Sequence, residues 1–141
     1  MGKEKDTSDL LKALENCEEF GRFYEENKEV FTDKPLYEEL YALQERSGLK
    51  KNEVIRLAQL SDIYGYKIFE GQRKPERKKL LCLLIALRAT FAETQRILKT
   101  HGYAMLYAKD PADCVVIYGI CNNMNVMQIN GLLFEYGFEM I

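Results

Sequence analysis

Residues 40–87 constrain this chain more than any other part of it. The run K-N-E-V-I-R-L-A-Q-L-S-D-I-Y-G-Y-K-I-F-E-G holds two short apolar-periodic stretches only a few residues apart, with Ser61 standing where a helix N-cap would. Gly71 can end the second stretch because it reaches positive φ without a Cβ penalty. The spacing predicts a helix ending at Gly48, a short helix over 51–59, a second over 62–69, and a longer one from Pro75 through Leu87. Leu80, Leu81, Leu83, Leu84, Ile85 and Leu87 cover more than one face of that last helix. It is therefore expected at the centre of an all-α core, against Val54, Ile55 and Ile68.

The flanks read as helical too. From Ser8 to Lys28 apolar residues recur at helical spacing between acids, with Gly21 as a candidate break. Asp33 offers a cap, and Pro35 an early helical position. Thr90 and Glu93 form a capping box for a helix to about His101, ended by Gly102. Asp110-Pro111 leads into an apolar run to Cys121 whose β-branched residues also suit a strand. Asn125, with Gln128 three residues on, starts a last helix before Gly137. The total is about seven helices in one body.

Charge divides the chain into three. Residues 1–34 carry a net −4, residues 35–103 a net +5 and residues 104–141 a net −3. The expected organisation follows these limits: an acidic N-terminal helical extension, a central domain over 35–103 and a C-terminal helical segment over 104–141. The positive charge is densest at Arg73, Lys74, Arg77, Lys78 and Lys79, where a phosphate backbone would need it. No long uncharged apolar segment and no secretory signal are present, so a membrane span is not expected and a cytoplasmic location is. Cys17, Cys82, Cys114 and Cys121 form no C-x-x-C pair and read as reduced, mostly buried thiols.

Catalysis finds little support in the residues. His101, the only histidine, falls at a helix end, where it complements the C-terminal carbonyls. The pairs Glu18-Glu19 and Glu38-Glu39 are adjacent, and adjacent helical residues do not converge. No metal-ligand spacing, phosphate-cradling loop or nucleophile motif occurs, so no cofactor, metal or enzymatic activity is expected.

The order of short helix, tight turn, short helix, basic loop and closing helix resembles the phage-repressor and Cro type of helix-turn-helix, the XRE family, over roughly 60 residues. With Y-G-Y-K-I-F-E-G-Q-R-K-P-E-R-K-K-L, F-A-E-T-Q-R-I-L-K and L-Y-A-K-D-P-A-D, the chain looks like a small set of XRE-like proteins of clostridial-type bacteria. The resemblance implies a lambda-repressor-like bundle and a sequence-specific, DNA-binding transcriptional regulator. It places Asp62, Ile63, Tyr66 and Lys67 toward base edges in the major groove, and Lys51, Gln72, Arg73, Lys74 and Arg77 beside phosphates of double-stranded DNA.

Three departures from the family pattern stand out. The family sets a small residue in the first helix against a β-branched one in the second, whereas here Ile55 faces Gly65 with the sizes exchanged and the volume roughly kept. Gln59 occupies a turn position where the family usually has Gly, at a cost of about 1 kcal/mol if the turn is left-handed. Asp62 puts a carboxylate at the groove, which favours a competing reading: a protein-interaction module that keeps the fold and has lost DNA binding. Residues 112–141 carry too many apolar groups to stay exposed on a monomer. They must cover the N-terminal helix, the subunit's own core, or a twofold interface of a homodimer.

Overall fold

The computed structural model describes residues 7–28 and 34–141. Its described residues hold nine α-helices and no strand, against the seven or so expected, in two units that divide after Lys34.

The first unit contains α1 (Thr7–Glu15) and α2 (Phe20–Asn27). The break between them falls at Asn16 and not at Gly21, which lies inside α2. The Asn16 carboxamide donates to the Lys12 carbonyl at 2.8 Å and the Cys17 N–H turns back to Leu14, so a short polar side chain competes with the helical backbone and ends it. α1 buries no residue, and α2 buries Phe23 and Asn27. The cap expected at Asp33 lies outside the described residues.

The second unit starts with α3 (Leu36–Ser47), for which Pro35 is the N-cap residue and not a helical one. Gly48, at φ 75°, ends it. α4 (Lys51–Leu57) and α5 (Asp62–Phe69) follow. The Ser61 hydroxyl accepts from the Tyr64 N–H at 3.3 Å, and Gly71, at φ 76°, comes after α5. α6 (Arg77–Ala86) begins two residues past Pro75, because Glu76 keeps an extended backbone and donates its N–H to the Tyr64 hydroxyl. Then come α7 (Phe91–Thr100), with its Thr90/Glu93 capping box, α8 (Pro111–Cys121) and α9 (Val126–Glu135).

One turn design joins three of these helix pairs. Gln59, Arg88 and Asn123 are left-handed at φ 61°, 60° and 57°. Each is followed by an apolar residue, Leu60, Ala89 or Met124, whose N–H reaches back to the carbonyl of Ile55, Leu84 or Gly119 at 2.9–3.1 Å. Each then gives way to a capping side chain, Ser61, Thr90 or Asn125. This Schellman-type closure satisfies carbonyls at one helix end while the cap satisfies N–H groups at the next.

α6 lies at the centre. All seven residues from Leu80 to Ala86 are buried, as are Val54, Ile55 and Ile68 in the same core. Residues 113–121 form a helix despite their β-branched content: the Asp110 carboxylate accepts from Asp113 N–H, Pro111 supplies a preset first-turn φ, and Gly119 lets α8 lie directly on Ile129 of α9. Val116, Val126, Ile129 and Leu133 join the core built by Leu80 and Leu84, so the tail rests on its own subunit.

The thiols differ from expectation. Burial pushes the Cys82 thiol up to about 11 despite the charge of Lys79. Cys17 is half-buried, and Cys114 and Cys121 are exposed, because they fall on the face of α8 away from Val116 and Gly119. Among the described residues no helix is long and apolar enough to cross a membrane.

Candidate nucleic-acid interface

The geometry of α5 starts from one glycine. A Cβ on Gly65 would come within 2.7–2.9 Å of three side-chain atoms of Ile55, so the two helices cross as closely as backbone allows. Gly65, Ile68 and Phe69 are buried by that crossing. The opposite face of α5 then carries Ile63, Tyr66 and Lys67, and Asp62 lies in its first turn on the stripe of Phe69; all four are exposed, Ile63 by 73%. An isoleucine so bare contributes nothing to the core. Asp62 sits in the first turn, where a carboxylate complements the positive helix end, so its presence has a purely local explanation as well.

The loop after α5 is held by aromatic rings. The Tyr64 hydroxyl accepts from Glu76 N–H at 3.3 Å, and the Arg73 guanidinium lies 5.0 Å from the Tyr64 ring centroid. The Lys74 ammonium lies 4.9 Å from the ring of Tyr103, and that of Lys51, at the start of α4, is 5.7 Å from Phe69. Such contacts fix a cation in place while leaving its N–H donors free. The Gln72 N–H is bonded to the Lys67 carbonyl at 2.8 Å, and its side chain is exposed.

Carboxylates sort the cations of the central segment into two sets. Arg46 grips Glu93 at 2.6 Å, Arg96 reaches Glu39 at 2.9 Å, and Lys78 pairs with Glu139. Among the described residues Lys51, Lys67, Arg73 and Lys74 form no ion pair with a carboxylate, and neither do Lys50, Arg56, Lys79, Arg88 and Lys99. Arg77 falls in the paired set, contrary to its expected place beside phosphate. Its planar fork donates to the Ala104 and Met105 carbonyls at 2.8 and 3.1 Å and to both Asp113 oxygens at 3.4 and 3.1 Å, which clamps the start of α6 to the chain before α8.

One polar cluster had no signal in the sequence. Glu39 is buried on α3 and meets His101 Nε2 and the Arg96 guanidinium, 62 and 57 residues away. Burial by itself would raise the Glu39 carboxyl, but the hydrogen bonds from His101 and Arg96 outweigh it and hold the group below the usual carboxylate range. His101 is also the C-cap residue of α7, the position expected for it. Only the single capping position was legible from residue order. No group of three or more metal-ligating side chains converges among the described residues. No protein-family model, curated protein or solved structure matches the chain.

Proposed function

We propose that the chain is a cytoplasmic, non-enzymatic, sequence-specific regulator of transcription that binds double-stranded DNA through a lambda-repressor-like, XRE-type helix-turn-helix. The sorting of cations carries this reading. Arg46, Arg77, Lys78 and Arg96 are each paired with a carboxylate, while Lys51, Lys67, Arg73 and Lys74, among the cations left without one, stand on or beside α5. In this reading Lys67 donates to guanine, Ile63 touches a thymine methyl, and Lys51, Gln72, Arg73 and Lys74 position the module on phosphates. Anisotropy titrations with mixed duplex DNA at two salt concentrations test it. Replacing Arg73 and Lys74 together by Ala should weaken binding alike for all sequences and flatten the salt slope by about 2, since each phosphate contact accounts for about 0.9. Lys67→Ala should relax discrimination at one base pair. If both variants bind as wild type does, the groove-facing assignment is wrong.

The partner assigned to the tail is a second copy of the chain. Met127, Gly131 and Phe134 lie at i, i+4 and i+7 on the outer face of α9, and Phe134 is 74% exposed. A twofold contact there would space two α5 helices for two half-sites. Light scattering of wild type beside Phe134→Glu reads this. A wild-type chain that stays monomeric at high concentration instead favours the second reading, an interaction module that has lost DNA binding, which the exposed Asp62 also supports.

A further inference from the structure

A corner of the second unit, beside the end of α5, has the make-up of a ligand site. A concavity of about 310 Å³ opens between the start of α3, the end of α5 and the end of α7. Leu36, Tyr37 and Ile68 form its apolar wall. The Tyr37 ring packs so close to Gly71 that a Cβ there would come within 2.7 Å of it, so the absent side chain leaves room for this wall. Arg73, Lys74 and His101 complete the lining, and it contains no carboxylate.

The balance of charge decides what could enter. Two helix C-termini and the N-terminus of α3 meet here, and together bring about half a negative charge. Arg73 and Lys74 bring two positive charges, held by the Tyr64 and Tyr103 rings and not by acids. The corner is therefore left electropositive before His101 is counted. His101 is oriented from behind, with Nε2 on the buried Glu39. A volume near the lower end of ligand pockets, an aromatic wall on one side and unneutralised cations on the other suit one chemistry: an organic anion with a flat apolar body and a phosphate or carboxylate head.

We infer that this corner binds a small organic phosphate or carboxylate as an effector. Resting on the DNA reading above, the inference adds its regulation: Arg73 and Lys74 cannot grip the effector head and a DNA phosphate at once, so effector and DNA compete.

Phenyl phosphate is the probe, titrated into the full chain without DNA while the imidazole resonances of His101, the only histidine, are followed by NMR. The expected result is a saturable shift, weakened about tenfold or more in Arg73→Gln and in Lys74→Gln as each removes a charge-assisted hydrogen bond. Lys109→Gln, outside the lining, should bind as wild type does, and thermal melts check that all three variants fold. Inorganic phosphate should bind more weakly than phenyl phosphate, and phenol should not shift His101. An absent shift, an equal shift with phenol, or unchanged binding in both pocket variants overturns the site. Equal affinity for inorganic phosphate overturns the apolar part of the assignment. A DNA titration repeated at saturating phenyl phosphate then reads the regulation, with weaker DNA binding expected. DNA bound equally well with and without the probe overturns the competition alone, whereas a chain that binds the probe and no DNA overturns the DNA reading and leaves the site standing.

Discussion

The hairpins α4–α5 and α8–α9 are built alike and present opposite surfaces. In each, an isoleucine and a glycine ten positions apart meet at the crossing, Ile55 with Gly65 and Gly119 with Ile129, the order reversed. In each, a left-handed non-glycine residue, an apolar residue and a polar cap make the turn. Measured from their caps, Ile63 of the first corresponds to Met127 of the second, and Lys67 to Gly131. Crossing and turn thus determine how a hairpin closes, and the outward positions determine what it can meet. One offers charge and hydrogen bonds, the other bare apolar surface.

The comparison can be broken at the helix beneath both hairpins. Leu84 on α6 is fully buried, and Leu84→Ala should cost about 2–5 kcal/mol in one cooperative transition by chemical denaturation. A loss below about 0.5 kcal/mol, the range of surface changes, would show that α6 is not the shared support.

The crossings come next. Alanine in a helix normally gains about 0.5–1 kcal/mol over glycine, but at Gly65 and at Gly119 the new methyl must enter a fully buried isoleucine. Overpacking should win, leaving Gly65→Ala and Gly119→Ala each about 1–3 kcal/mol less stable, with partial recovery when Ile55 or Ile129 is shortened to Val. A neutral Gly119→Ala would end the likeness between the hairpins.

The turns differ more finely. Gln59→Gly should stabilise by up to about 1 kcal/mol by removing left-handed strain, whereas Asn123→Gly should change little, because Asn tolerates that conformation. Equal gains at both positions would mean that Asn123 is strained as Gln59 is.

The smallest effect lies outside both hairpins. The Arg46 guanidinium, with help from the Thr90 backbone and hydroxyl against the opposing effect of burial, lowers the Glu93 carboxyl from 4.5 to about 2. A depressed folded value means that the stability from this group is present above the ordinary range and is lost as pH falls from about 4.5 toward 2. Thermal melts across that window should therefore fall less steeply for Glu93→Gln than for wild type, and by an amount kept small by solvent screening of the pair.

What could be read from residue order was local chemistry. Ser61, Thr90 and Asn125 announced their helices because a cap acts within three residues, and Gly48, Gly71 and Gly102 announced ends because positive φ is a single-residue property. The exchange of sizes at Ile55 and Gly65 was legible for a different reason, since only a helix pair of known kind gives two distant residues a shared meaning. The same ten-residue spacing separates Gly119 from Ile129. Arg77 and the Glu39, Arg96 and His101 cluster could not be read at all. Their partners lie 27 to 62 residues away, and nothing in a charged side chain's neighbourhood says which distant carboxylate it will find. The base-reading and phosphate positions were legible only through resemblance, and of that set Arg77 is the member whose donors are already engaged.

The seven consecutive buried residues of α6 forbid a dissection that the charge boundaries would invite. A helix with no polar side has no stable position at a water surface, and part of its covering comes from Ile129 and Leu133, beyond residue 103. Cutting the chain there would not release a smaller domain. It would uncover a greasy helix, and the fragment would aggregate or be degraded, so this stretch has to be inherited, transplanted and folded together with the tail that closes over it.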